Sequence, residues 1–240
     1  MLIKKNNIRK IIRKAHKWLG LILGLQVLFW VAGGVVMSWF PLEMVRGSDK
    51  AVEKPVIKLQ IEDFIYPVKK VINEYPDSTR IVATYWMQKA VYYLHASSGK
   101  IMLDANNGQV ISPISEQMAR DVALKDFKDS VEILSIEKID KPAGEVRGSK
   151  DELWKVNLQD FRNTSIYVSL QTGKVVARRN DVWRLFDFFW MLHIMDYEER
   201  DDFNNLLLQI FAASSLLFII TGLWMLMVSF RKSDFSWLKK

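Results

Sequence analysis

The chain has 240 residues, half of them hydrophobic, with a net charge of +7 and no cysteine. The missing thiols exclude disulfides, thiolate metal sites and thioether-linked cofactors. The positive balance does not mark a nucleic-acid binder, because Lys4, Lys5, Arg9, Lys10, Arg13, Lys14 and Lys17 all precede one apolar run, and Arg231, Lys232, Lys239 and Lys240 follow another.

Those two runs, Trp18 to Phe40 and Leu206 to Phe230, contain no Asp, Glu, Lys or Arg. A helix needs about 20 apolar residues to cross the hydrocarbon core, so both are expected to be transmembrane helices. A cleaved signal peptide would have an apolar region of roughly 7–15 residues ending at a small-x-small site. The first run is longer and leaves through Trp39, Phe40 and Pro41, so it reads as an uncleaved anchor. Flanking Lys and Arg are held on the cytoplasmic side, which predicts cytoplasmic termini and residues 41–205 across the membrane, in the periplasm of a bacterium. The basic head also suits contact with anionic lipid.

Within the first run, Gly20 and Gly24 form a small-xxx-small pair and Gly33-Gly34 follows. Two readings stay open: close approach of another helix, or the ordinary abundance of glycine in membrane helices. Gln26 is the strongly polar interior residue. Counting about 1.5 Å per residue from the cytoplasmic end puts it level with Thr221 and Gly222 of an antiparallel second span, and a Gln26–Thr221 hydrogen bond is expected.

Residues 44–55 read as a polar linker. From Leu59 to Tyr75, Phe64, Val68, Val71, Ile72 and Tyr75 recur at helical spacing, with Pro67 either kinking the helix or lying in its first turn. Strands are expected over 80–87, 90–95 and 101–104 continuing to 109–111, punctuated by Ser97-Ser98-Gly99 and Asn106-Asn107-Gly108. The order then recurs: a helix from Ser115, a plausible N-cap, to about Phe127; a polar loop with Pro142, Gly144 and Gly148; and strands over 153–159, 165–170 and 174–178. Asn107-Gly108-Gln109-Val110-Ile111 superposes on Thr172-Gly173-Lys174-Val175-Val176 at an offset of 65 residues, which predicts a tandem repeat. Each unit is about 60 residues, marginal alone, so the two are expected to pack together or on the membrane.

The segment RKAHKWLGL opening the first run, the hairpins LDANNGQVIS and VSLQTGKVVA, and WRLFDFFWMLH before the second run together resemble the PepSY-associated transmembrane family over nearly the whole chain. The resemblance implies a membrane α+β fold: two antiparallel transmembrane helices flanking a periplasmic tandem PepSY-like α+β domain, each repeat a helix packed on an antiparallel sheet, plus a periplasmic interfacial helix. The expected parts are a basic cytoplasmic N-terminus (1–17), a first span (18–40), PepSY-like repeats (51–113 and 114–179), an interfacial aromatic helix (181–197), a second span (206–230) and a cytoplasmic tail (231–240). Members are bacterial inner-membrane proteins, several linked to iron uptake. Some reduce ferric siderophores with haem b held between their membrane helices, whereas isolated PepSY domains bind or inhibit peptidases. The larger reductases have four spans, whereas two are expected in this chain.

Against that background His193 follows Phe186, Phe189 and Trp190 at spacings of seven, four and three, one face of a helix. A neutral imidazole on an aromatic face suits haem. The same segment also reads as an interfacial helix with Trp183, Trp190 and Tyr197 as headgroup-level anchors. Arg184 either pairs with Asp187 or meets a haem propionate. His16, in the basic head, is either a solvated interfacial residue or, by its family position, a cytoplasmic-side ligand. With the two histidines at opposite faces of a core of about 30 Å, one monomer cannot place both on one iron. A dimer mate, a membrane redox partner or a non-histidine side chain must complete each site, and a symmetric homodimer would pair each histidine with its copy. His95 reads as an ordinary strand residue, and the cluster Asp196, Glu198, Glu199, Asp201 and Asp202 either attracts a cation, iron included, or is a solvated acidic face. No nucleophile elbow, phosphate loop or paired catalytic carboxylate occurs. Two functions are carried forward: transmembrane electron transfer, plausibly haem-dependent reduction of an extracytoplasmic acceptor such as ferric iron or a ferrisiderophore, and a non-catalytic binding or regulatory module anchored by two helices.

Overall fold

A computed structural model describes residues 5–53, 55, 57–141 and 144–229. Lys4, Pro142 and the basic tail with Arg231, Lys232, Lys239 and Lys240 lie outside the described residues. The chain divides into two compact units, Met1–Trp39 with Phe186–Lys240, and Phe40–Leu185.

The first unit is built on two long helices, α1 (Lys5–Trp39) and α6 (Leu206–Ser229). Both are long and apolar enough to cross a membrane. They run antiparallel: α6's Phe218 packs into the space over Gly20, and α6's Gly222 faces His16 of α1. Gln26 therefore does not meet Thr221, contrary to the count from the helix ends. Thr221 is level with His16, ten residues earlier on α1, because α1 is helical through the basic head instead of starting at Trp18. Gly24 and Gly34 face open space, so the small-residue spacing does not mark a close backbone approach within the chain.

In the second unit a short helix α2 (Leu42–Arg46) ends at Gly47 in the left-handed region. Of the two readings of the 59–75 pattern, a kinked helix or one starting near Ile65 with Pro67 in its first turn, the structure is close to the second: following a 3-10 turn (Ile61–Asp63), a two-turn helix α3 (Val68–Glu74) begins just after Pro67. Pro67 stands at its N-cap, since its ring blocks a preceding helical turn. Strands β1 (Arg80–Trp86), β2 (Lys89–Ala96) and β3 (Gly99–Asp104) form an antiparallel meander. Helix α4 (Glu116–Asp126) is capped by Ser115, whose hydroxyl accepts the Met118 N–H at 3.2 Å. A four-stranded antiparallel sheet follows: β4 (Ile133–Ile139), β5 (Leu153–Leu158), β6 (Ser165–Ser169) and β7 (Val175–Arg179). β4 falls in what the sequence suggests is loop.

β2 is buried on both faces. Ala90, Tyr92 and Leu94 pack with Val71 of α3, while Val91 and Tyr93 share a core with Ala119, Val122 and Ala123 of α4 and with Val156, Ile166 and Val168 of the second sheet. The two helix-and-hairpin segments thus bury one common core, which a 60-residue unit alone could not supply. The hairpin turn recurs bond for bond at the 65-residue offset: Gly108 N–H donates to Asp104 O and Gly173 N–H to Ser169 O, both at 2.9 Å. Both glycines have positive φ, and a Cβ at either would collide with an aromatic ring, Tyr66 or Trp86.

Helix α5 (Asp181–Ile194) has its first residues in the second unit and the remainder in the first. It stops at Ile194, three residues short of the expected end, and Met195 takes a positive φ of 55°.

Candidate functional site

The last carbonyls of any helix lack internal partners, and in an apolar surrounding water cannot supply them. α5 resolves this with side chains. Gln26 donates to Leu192 O at 2.8 Å, Trp30 to His193 O at 2.9 Å and Asn205 to Ile194 O at 2.9 Å. Gln26, only 6% exposed, is therefore a cap for α5. Phe189 lies against Gly33, at ordinary van der Waals distance from where a Cβ would stand.

This arrangement sets the position of His193. Its ring lies between the indoles of Trp190, stacked at 6.3 Å, and Trp30, tilted at 6.2 Å. The residue is exposed, and among the described residues no polar side chain meets its ring nitrogens. Trp190 is fixed in turn, donating to Arg200 O at 3.1 Å. Phe186 is half-buried on the same helix. Asp187, 5% exposed, binds Arg200 at 2.7 Å.

His16 is built with more constraint. Thr221 donates its hydroxyl hydrogen to Phe218 O at 2.8 Å. A hydroxyl has one hydrogen, so at 2.9 Å from His16 Nδ1 it can only accept. In the neutral ring an Nδ1–H to Thr221 leaves Nε2 its lone pair, the tautomer a metal-binding imidazole needs. The ring stacks on Phe218 at 4.1 Å with the planes 8° apart. Gly222 lies beneath it, and a Cβ there would stand 3.1 Å from Cε1. The ring borders a cleft of about 600 Å³ lined by Arg13, Gly222, Met225, Leu226 and Ser229.

The two histidines are not brought together. His193 is level with Trp30, fourteen residues along α1 from His16, which at the helical rise is about 21 Å. That is shorter than the expected separation of about 30 Å, because α5 ends beside the middle of α1 instead of at its outer end. It is still far beyond the roughly 4 Å between two imidazole nitrogens on one metal. The residues fit a haem ligand at His16 by the free Nε2 and its Thr221 brace, and at His193 by an open imidazole walled with indoles.

Arg184 does not pair with Asp187. Its guanidinium binds Glu145 at 2.7 Å and Asp181 at 2.8 Å, with further bonds to Asn163 O and Ser165. These commit it to the second unit's sheet. Burial works to raise the Glu145 pKa, but hydrogen bonds from Arg184 and Tyr167 outweigh it and hold the carboxyl below the usual range. A cation that does share a cleft with His16 is Arg13, one turn earlier on α1. The acidic run is a loop wound round Asp196, which accepts the N–H groups of Glu198, Glu199, Asp201 and Asp202. Those bonds, the Asp202 N–H first, lower its pKa. Among the described residues no three His, Asp or Glu converge as a metal-ligand group.

Sequence reasoning missed Phe218 and Trp30, and it named Thr221 and Gly222 as neighbours of Gln26 instead of His16. The one available signal was a Thr-Gly pair inside an otherwise apolar span.

The family model for the PepSY-associated TM region matches residues 13–240. No curated protein and no solved structure matches the chain. With that match covering both apolar helices and both sheets, the chain is a membrane protein that belongs to the PepSY-associated TM family.

Proposed function

We propose that this protein lies in a bacterial inner membrane with both termini cytoplasmic and residues 41–205 periplasmic, and that it carries electrons outward through haem b held at His16 and His193. When bound, the haem supplies a one-electron carrier. The protein's part is to present a neutral imidazole, wall the group off with aromatic rings and balance its propionates. The observation that carries the reading is the His16–Thr221–Phe218 relay, in which the Nδ1–H tautomer leaves the Nε2 lone pair open to a metal. Arg13 lines the same cleft as His16 and would balance a propionate there. Each histidine takes its second ligand from outside the monomer, and a second copy of this chain paired about the membrane normal provides one at each level. An extracytoplasmic acceptor such as ferric iron or a ferrisiderophore would take the electron.

Haem content per chain tests this. Detergent-purified protein is expected to carry b-type haem extractable into acid acetone, with the yield lowered by His16→Ala. Colourless protein from haem-replete cells would refute it. The alternative, a partner-binding module that the helices merely anchor, has one observation on its side: Phe161 stands 80% exposed at the turn between β5 and β6. Colourless protein would leave that reading in place.

A further inference from the structure

In the Phe40–Leu185 unit a cleft of about 870 Å³ is lined by the ends of β1, β2 and β3, by the 146–151 turn, and by β6 and β7. Six of its lining residues are Lys or Arg: Arg80, Lys100, Arg147, Lys150, Lys174 and Arg179. Asp151 is the one carboxylate among them, and it already binds Lys100 at 2.8 Å. The unit as a whole is nearly neutral, with 22 Lys and Arg against 20 Asp and Glu. Six of the unit's cations thus line one cleft against a single carboxylate, a local excess that the unit as a whole does not have.

Arg80 lies directly opposite His95, and His95 directly opposite Lys100, so Arg80 and Lys100 flank one imidazole across three neighbouring strands. Arg179 is fixed by backbone acceptors, with Nε donating to Glu145 O at 2.7 Å and Nη1 to Arg178 O at 3.1 Å, and its guanidinium lies over Trp183. Burial, partly offset by Glu145, lowers the Arg179 pKa. Among the described residues no carboxylate forms an ion pair with Arg80, Lys150 or Arg179.

We propose that this cleft binds a small polyanion, a polycarboxylate or a phosphate ester, with Arg80, Lys150 and Arg179 making the charge-assisted hydrogen bonds that planar and tetrahedral oxyanions accept. The site lies wholly in the unit that holds neither His16 nor His193, so it stands or falls separately from haem binding.

Isothermal titration of the full-length protein in neutral detergent, with citrate and separately with pyrophosphate, tests it. Saturable one-site binding of at least one probe is expected, weakened at least tenfold by the Arg80→Ser/Lys150→Ser double variant. Both residues are exposed, and circular dichroism checks that the variant is folded. Lys89→Ser, an exposed cation at the opposite end of β2, is expected to bind like the parent. Citrate alone binding assigns a carboxylate ligand, and pyrophosphate alone a phosphate ligand. Failure of both probes to saturate, or an equal loss in Lys89→Ser, overturns the proposal.

Discussion

Replacing Thr221 by Val removes one oxygen and leaves the shape of the α1–α6 contact almost unchanged, which isolates the tautomer argument. In the parent the hydroxyl accepts the His16 Nδ1–H at 2.9 Å and donates to Phe218 O at 2.8 Å. Val leaves that N–H without a partner, a cost of about 1–3 kcal/mol where water cannot replace it. The ring is then free to take the other tautomer or to swing off Phe218. Loss of a partner that orients a metal-binding histidine typically costs 10–100-fold in affinity, so haem affinity is expected to fall by about that factor. The assay is titration of haem into apoprotein in detergent, followed by the Soret band. Thr221→Ser keeps the oxygen and is expected to restore binding. Unchanged affinity in the Val variant, or equal loss in Val and Ser variants, would refute the role given to Thr221.

Other expectations follow from the same geometry. Gln26→Leu strips the cap from Leu192 O and is expected to lower thermal stability in detergent by about 1–3 kcal/mol; an unchanged melting temperature would show that the α5 terminus is solvated. Asp126, 3% exposed at its side chain, holds Arg178 in two bonds of 2.5 Å. Asp126→Asn is expected to cost about 3–5 kcal/mol in denaturant unfolding. Glu145 has a folded pKa below its unfolded value, so its contribution is present above the unfolded pKa and is lost as pH falls through the folded one. Glu145→Gln should therefore destabilise by about 1–2 kcal/mol near neutrality and by progressively less in acid. A difference that grows on acidification would contradict the sign.

The parts legible in the sequence were those set by short-range rules. An uncharged apolar run of membrane length has few other uses, the Ser115 cap acts within three residues, and Gly108 and Gly173 sit where a positive φ and an overlying ring admit no side chain. β4 escaped because it is an edge strand: alternation in Ile133–Ile139 is broken by Leu134, 62% exposed, and by its charged outward face. The α1–α6 register escaped because charge was taken to mark the helix end, whereas α1 continues as helix through Lys10, Arg13 and Lys17. Gln26 could not be assigned, since its partner lies 166 residues away and no local pattern encodes a cap supplied by another helix. His16 and His193 were both visible as candidates. What singles out His16, the hydrogen count at Thr221, exists only in three dimensions.

The central claim is that the protein carries haem on these two histidines. The dithionite-reduced absorption spectrum of the purified parent, His16→Ala, His193→Ala and the double variant tests it most directly. Expected are b-type bands in the parent, reduced by each single substitution and abolished by both. A parent without those bands, or a double variant that keeps them, would contradict it.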